Sequence, residues 1–418
     1  NTGLAVILDV VYNHLGAEGN YLGDFGPYFT DRYRTAWGEA FNYDGPGSDE
    51  VRRYVVDNAL YWITEYHIDG LRLDAVHQIY DRSATNLLQE MATAVHQQAE
   101  RLDRRALVIA ESDLNDPRLI RPVEQGGYGL DAQWSDDFHH AVHAELTGER
   151  NGYYADFLGL EDVATALASR FVYTGQHSGY RRRRHGAPAA TIPADRFVIA
   201  IQNHDQIGNR AAGERLSVLL SLNQQKLAAA LLLLSPYVPL MFMGQEYGET
   251  HPFLYFISHE DPELIEAVRR GRREEFAAFG WTGEVPDPAD PETFERSLPD
   301  RLIATAQGHA GLLALYTDLL ALRRSEPALR PGDAAVSVMF DASAGWISLR
   351  LTPEDAAELL VLFNFDRQHA EARVPLSEPG TWHLVLATDD RRYEGQGMFG
   401  YDGAVVTMAG AGAALFRG

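Results

Sequence analysis

The sequence predicts a (β/α)8 TIM barrel lacking its first two strands in this chain, followed by a small antiparallel β-sandwich. Three observations carry that reading. Short, almost wholly apolar runs recur, most of them separated by helical patterns. Six of these runs end in carboxylates, histidines or amides. After about Ala328 the texture turns to short alternating strands with Gly, Pro and Asp turns and no long helix.

Taken in order, Leu4 to Leu8 ends at Asp9, Leu71 to Leu73 at Asp74, and Ala106 to Ala110 at Glu111. Ala132 to Trp134 leads to Ser135, Asp136 and Asp137, and Phe197 to Ile201 leads to Gln202, Asn203, His204 and Asp205. Leu240 to Met243 leads to Gly244, Gln245 and Glu246. Strands apolar throughout are buried on both faces, as in a parallel sheet. Val55, Leu60, Ile63 and Tyr66 have helical spacing up to Gly70, and Leu87, Leu88, Met91 and Val95 repeat it. Strands alternating with helices make right-handed βαβ units.

One aspartate after a strand can simply cap the next helix. Six polar ends on one edge instead match the C-terminal rim of a barrel, where an active site is assembled. A closed barrel needs eight strands, so two more, and a further segment of the same protein, are expected before Asn1. The barrel is assigned to residues 1–327 and the sandwich to 328–418. Sandwich strands are expected at Ala334 to Phe340, Trp346 to Leu351, Leu359 to Asn364, Glu371 to Val374, Trp382 to Ala387 and Ala404 to Thr407. The stretch 284–292, rich in Pro and Asp, reads as a loop between barrel helices.

Composition narrows the chemistry. Fifty-nine acidic against 36 basic residues give a net charge of −23, which repels phosphate backbones and argues against nucleic acid. The basic run Arg181 to Arg184 reads as a solvated loop face. There is no cysteine, so disulfides, thiolate metal sites and cysteine nucleophiles are excluded, and a cytoplasmic location fits. The apolar run Leu227 to Leu234 is too short to span a bilayer and reads as a buried helix, so no membrane is expected.

Two carboxylates on adjacent strand ends suit acetal cleavage with retention, where the carboxyl groups stand about 5–5.5 Å apart. Arg72 precedes Asp74 by two residues and so points to the same side, where it keeps the carboxylate ionised and oriented; a purely structural pair is the alternative. Glu111 ends the neighbouring run and is the candidate proton donor. His204 and Asp205 can hold sugar hydroxyls and stabilise positive charge; metal ligation is the rival, but no second histidine stands at ligand spacing. Asp9 is expected to brace Arg72 or Asp74, and His14 to reach a sugar hydroxyl. For Asn13 a satisfied amide in a loop stays open.

Four stretches resemble the conserved regions of the α-amylase superfamily of glycoside hydrolases: Asp9 to His14, Gly70 to His77, Ala110 to Ser112 and Asn203 to Asp205. That resemblance implies Asp74 as nucleophile, Glu111 as acid/base and Asp205 as transition-state stabiliser. His14, Arg72, His204 and Gln206 would position substrate. The stretches 109–116, 133–141, 146–149, 201–210, 250–256 and 271–276 resemble, within it, the maltooligosyltrehalose trehalohydrolases. This implies hydrolysis of the α-1,4 bond beside a terminal trehalose of maltooligosyltrehalose, without an organic cofactor or a metal. Trp134, Asp136, Asp137 and His139 would line the leaving-group side. Phe253, Tyr255 and Phe256 would stack on sugar rings, with core packing as the alternative. A metal site at Asp136, Asp137, His139 and His140 is a weaker rival. A glucan branching enzyme shares the carboxylates but transfers chains, and a non-catalytic module would lack one of the three. The family also carries an N-terminal β-domain.

Overall fold

The computed structural model describes every residue except 1–2, 17, 36, 279–284, 333, 367–371, 376–381, 403–404 and 409. It leaves aside the side chains of 275, 277, 278 and 372–375. Six short strands form one parallel sheet in chain order: β1 (Ile7–Val10), β2 (Gly70–Leu73), β3 (Leu107–Ala110), β4 (Ala132–Trp134), β5 (Phe197–Ala200) and β6 (Val238–Leu240). Val10 pairs with Leu73, Leu73 with Ala110 and Ala110 with Gln133. The residues that follow β1, β2 and β3 therefore leave the sheet at one level.

Alternation sorts the two faces. Ile109, Ala132, Trp134, Val198, Val238 and Leu240 form one apolar group. Leu71, Leu73, Val108, Ala110, Phe197 and Ile199 face the other way, into the main core with the helices. The last strand departs from expectation. It spans 238–240 rather than 240–243, because Gly244 turns left-handed (φ 83°) into a single 3-10 turn, Gln245–Tyr247. Glu246 consequently lies on that turn and not at a strand end.

The main helices are α1 (Ser48–Thr64), α2 (Leu87–Arg101), α3 (Asp136–Thr147), α4 (Leu160–Ser169), α5 (His204–Gly208), α6 (Leu222–Leu233), α7 (Pro262–Ala278) and α8 (His309–Ser325). The α1 helix stops short of Gly70, since His67 takes a positive φ of 56°. Between β3 and β4 only 3-10 turns occur among the described residues, at Pro117–Leu119 and Val123–Gln125. The apolar stretch Leu227 to Leu234 is buried on every side within and just past α6. Residue 284 of the expected Pro/Asp-rich loop lies outside the described residues, and the loop ends early. Asp290 accepts the Glu292 N–H and caps a short helix, Pro291–Glu295.

The C-terminal part holds β7 (Ala334–Asp341), β8 (Trp346–Pro353), β9 (Leu359–Asn364), β10 (Ala372–Pro375), β11 (His383–Ala387), β12 (Gly400–Tyr401), β13 (Val405–Met408) and β14 (Gly412–Arg417). They make a five-stranded antiparallel sheet, β7-β8-β9-β14-β11, and a three-stranded one, β10-β13-β12. Of the expected strand ends, Glu371 and Ala404 lie outside the described residues. Leu360, Leu362 and Phe416 pack against Trp382, Val406 and Met408. Val361, Phe363 and Leu415 project the other way into the core shared with the helices. Burial on both faces explains why β9 reads as an unbroken apolar run.

Phe363 is fully buried in that shared layer. Phe363→Ala is expected to destabilise the chain by about 3–5 kcal/mol, read as a lower urea midpoint; a change below about 1 kcal/mol contradicts the packing.

Candidate active site

The site is built on the sheet edge where β2 and β3 end. The Asp74 N–H donates to the Val10 carbonyl at 3.0 Å, and the Glu111 N–H to the Leu73 carbonyl at 3.0 Å. Asp74 and Glu111 thus occupy neighbouring positions on adjacent strands. The Glu111 carboxylate also accepts the N–H of Ala75, the residue after Asp74. Asp205 arrives on α5, whose cap Asn203 accepts the N–H groups of Asp205 and Gln206 at 2.9 and 3.1 Å.

Arg72 joins these groups. Its Nη1 donates to Asp9 at 2.7 Å and to Asp74 at 2.8 Å. Its Nη2 stands 3.8 Å from Glu111 and 3.9 Å from Asp205. The guanidinium lies 4.4 Å from the ring centre of Trp134, a cation–π contact. Burial opposes its charge, but Asp9 and Glu111 first, then Asp74, raise its pKa further. Asn13 Nδ2 donates to the Asp74 carbonyl at 2.7 Å and to its carboxylate at 2.9 Å, while its Oδ1 contacts His14 Nδ1. Asn13 therefore braces the site rather than sitting satisfied elsewhere. His14 stacks on Trp37 at 3.8 Å, and burial lowers its pKa despite Asp74.

Exposure separates the carboxylates. The Glu111 side chain is 12% exposed, Asp74 24% and Asp205 47%. Burial raises the Glu111 pKa to about 7; Arg72 and the Ala75 N–H oppose the rise, and Asp205 and Asp74 add to it. Asp136 is pushed well above the usual carboxylate range by burial, then by Glu111, Asp205 and Asp113.

Of the residues expected on the leaving-group side, Trp134 and Asp136 belong to this group. Trp134 lies under Arg72 and edge-on to His204 at 6.3 Å. Asp137 and His139 do not. Successive helical residues point about 100° apart, so Asp137 turns from Asp136 into the interior. There its carboxylate accepts the N–H groups of Val172 and Tyr173 and the amide of Asn115, each at 2.8 Å. His139 is buried against His140, His143 and Tyr154. Among the described residues no group of three or more His, Asp or Glu is arranged to hold a metal ion.

His204 stands 3.6 Å from Asp205. Gln206 is buried, and its Oε1 has no partner among the described residues. Tyr255 and Phe256 are 42% and 43% exposed. Arg272 sits 4.7 Å from the Tyr255 ring, and Phe256 meets Phe294 edge-on at 5.1 Å. Phe253 packs edge-on against Phe242 at 5.2 Å. The basic run divides: Arg182 to Arg184 are exposed, but Arg181 turns inward to Asp113 at 2.8 Å, and His77 stands 3.8 Å from the same carboxylate.

Trp37 and Arg181 escaped the sequence reading because each sits in a hairpin, between the paired strands Phe29–Thr35 and Gly38–Phe41 or His177–Ser178 and Arg183–Arg184, with no strand-end pattern to mark it. Asp113, two residues past Glu111, did carry a signal in its spacing.

The family model described as the alpha amylase C-terminal all-beta domain matches residues 349–416. A malto-oligosyltrehalose trehalohydrolase from Arthrobacter ramosus is 47% identical over 99% of this chain and 69% of its own. One from Saccharolobus solfataricus is 50% identical over 77% of this chain and 54% of its own. A crystal structure of a protein assigned as an alpha amylase from Salmonella typhimurium, 36% identical, superposes with a TM-score of 0.85 over 100% of this chain and 68% of that one. The chain thus spans between about half and just over two thirds of these relatives. By this similarity the chain belongs to the malto-oligosyltrehalose trehalohydrolase family of glycoside hydrolases.

Proposed function

We propose that this site hydrolyses the α-1,4-glucosidic bond next to the terminal trehalose of maltooligosyltrehalose, with retention, releasing trehalose and a shortened maltooligosaccharide. The observation that carries the reading is the pairing of Asp74 with Glu111 across adjacent strands. Asp74 is held by Arg72 and Asn13, whereas burial pushes Glu111 up to about 7. One group is thereby kept as a nucleophile and the other as an acid.

Asp74 attacks the anomeric carbon while the Glu111 proton passes to the leaving oxygen. The C–O bond to trehalose breaks, and a glycosyl–Asp74 ester forms. Glu111, now ionised, takes a proton from water, whose oxygen attacks the same carbon and frees Asp74. The sugar ring carries positive charge at both steps, and Asp205 stands ready to stabilise it. Trp134, Asp136 and His204 meet the leaving group, and Tyr255 and Phe256 offer half-exposed rings to the sugar chain. The carboxylates need only water as co-reactant. No helix among the described residues is long and apolar enough to cross a membrane. A cysteine-free sequence fits a reducing cytoplasm, where we place the reaction.

Incubating the enzyme separately with maltopentaosyltrehalose and with amylose tests the reading. Free trehalose from the first supports it, and new α-1,6 branches from the second would refute it in favour of chain transfer. Asp74→Ala is expected to lose several orders of magnitude in turnover with substrate binding retained; near-normal turnover excludes Asp74 as nucleophile.

Glu111 acts first in its protonated form, so kcat/KM is expected to fall as pH rises through about 7. Stability shifts in the same sense. The folded pKa lies above the unfolded value, so between 4.5 and about 7 the native state keeps a proton that the unfolded chain releases. Stability is therefore lost as pH rises across that window. Glu111→Gln should abolish most turnover, by about 10²–10⁴-fold, yet resist thermal unfolding better than the parent at pH 8. Equal midpoints at pH 8 contradict the raised pKa.

A further inference from the structure

We propose that Glu149 is a positioning residue that fixes the Asp205 carboxylate by clamping Arg210. The proposal rests on Asp205 acting as the third carboxylate.

Asp205 is weakly held by its own side chain. Its carboxylate stands 3.9 Å from Arg72 Nη2 and 3.6 Å from His204 Nε2, both beyond good hydrogen-bond reach. Its place is set by α5, which has only five residues, too few to be stable alone. Asn203 caps the start of that helix. At its end the Asn209 N–H donates to the Asp205 carbonyl at 2.9 Å, and the Arg210 N–H to the Ile207 carbonyl at 3.0 Å.

Glu149 grips the chain there. It follows α3, after Gly148 reverses direction with φ 83°. Arg210 Nη1 donates to Glu149 Oε2 at 2.8 Å and Nη2 to Oε1 at 2.9 Å. His143 Nε2 lies 2.8 Å from Oε2, and Arg210 Nε reaches Glu214 at 3.2 Å. A forked pair sets direction as well as distance. Both partners are mostly covered, with side chains 19% and 28% exposed, so solvent screens the pair only in part. Arg272 adds a second hold by donating to the Gly208 carbonyl at 2.9 Å. Glu149 differs in its origin: it follows the end of α3, whose first residue, Asp136, faces the same site. It thereby ties the leaving-group side to the charge-stabilising side.

Glu149→Gln keeps the shape and removes the charge. Turnover on maltooligosyltrehalose should fall roughly 10- to 100-fold, as expected of an ångström-scale displacement, with KM within about twofold and a lower thermal midpoint from the uncompensated Arg210. The same substitution is then made in an Asp205→Asn background and assayed with an α-maltosyl fluoride, whose leaving group needs no proton. If Glu149 acts through Asp205, the second change adds less than about a twofold loss there. An equal loss in both backgrounds, or unchanged turnover in the parent, overturns the clamp. Full turnover of Asp205→Asn alone overturns the reading of Asp205 and the clamp with it. Should Glu149→Gln not fold, Arg210→Lys, which keeps the charge but loses the fork, makes the same comparison.

Discussion

The site depends on one buried cation. Carboxylates gathered around one point repel one another, and the Arg72 guanidinium offsets that repulsion. The guanidinium is planar and forked, so it can serve Asp9 and Asp74 through one nitrogen and stand near Glu111 and Asp205 with the other. Its hold is uneven. Asp9 and Asp74 receive hydrogen bonds, whereas Glu111 and Asp205 feel mainly its charge across nearly 4 Å. The first pair is held directly by Arg72, whereas Glu111 takes the Ala75 N–H and Asp205 is placed by α5. Trp134 beneath the guanidinium excludes water from one side, which strengthens every charge interaction above it.

In the proposed reading, one edge gives two carboxylates opposite roles through their surroundings. Asp74 receives hydrogen bonds from Arg72 and Asn13 and is twice as exposed as Glu111. Glu111 has a backbone N–H and a more enclosed setting. A nucleophile must be charged before reaction and an acid must not be. Exposure and donor count separate them without any change in residue chemistry.

The strand-end pattern made the rim legible: an apolar run followed by a carboxylate located Asp9, Asp74, Glu111, Asp136 and Asp205. Periodicity of two also placed Arg72 beside Asp74 correctly. The helix that follows β4 was not legible in the same way. Asp136, Asp137 and His139 are close in sequence, but α3 starts at Asp136 and rotates its neighbours out of the site. A strand-end motif running into a helix therefore overstates how many of its residues face substrate. β14 escaped because Gly412, Ala413 and Ala414 lack the branched and aromatic residues that mark strands. Its role is supplied by pairing with β9 and β11. Trp37 and Arg181 come from hairpins whose approach to the rim is decided by tertiary contacts alone.

The C-terminal sheet contributes to the rim without placing a described residue in it. From Leu227 onward α6 is apolar on every side and cannot face water. One flank meets the parallel-sheet core, and β14 covers another with Leu415 and Ala413. Arg323 of α8 closes its C-terminal end by donating to the Leu233 and Ser235 carbonyls, both at 2.9 Å. That helix joins β5, which leads into Asp205, to β6. Removing its cover would expose a row of leucines behind the strands that carry the site, and a close-packed core transmits such a loss rather than absorbing it. The all-β part therefore bears on the site through packing: it covers an apolar helix that lies behind the strands carrying the carboxylates.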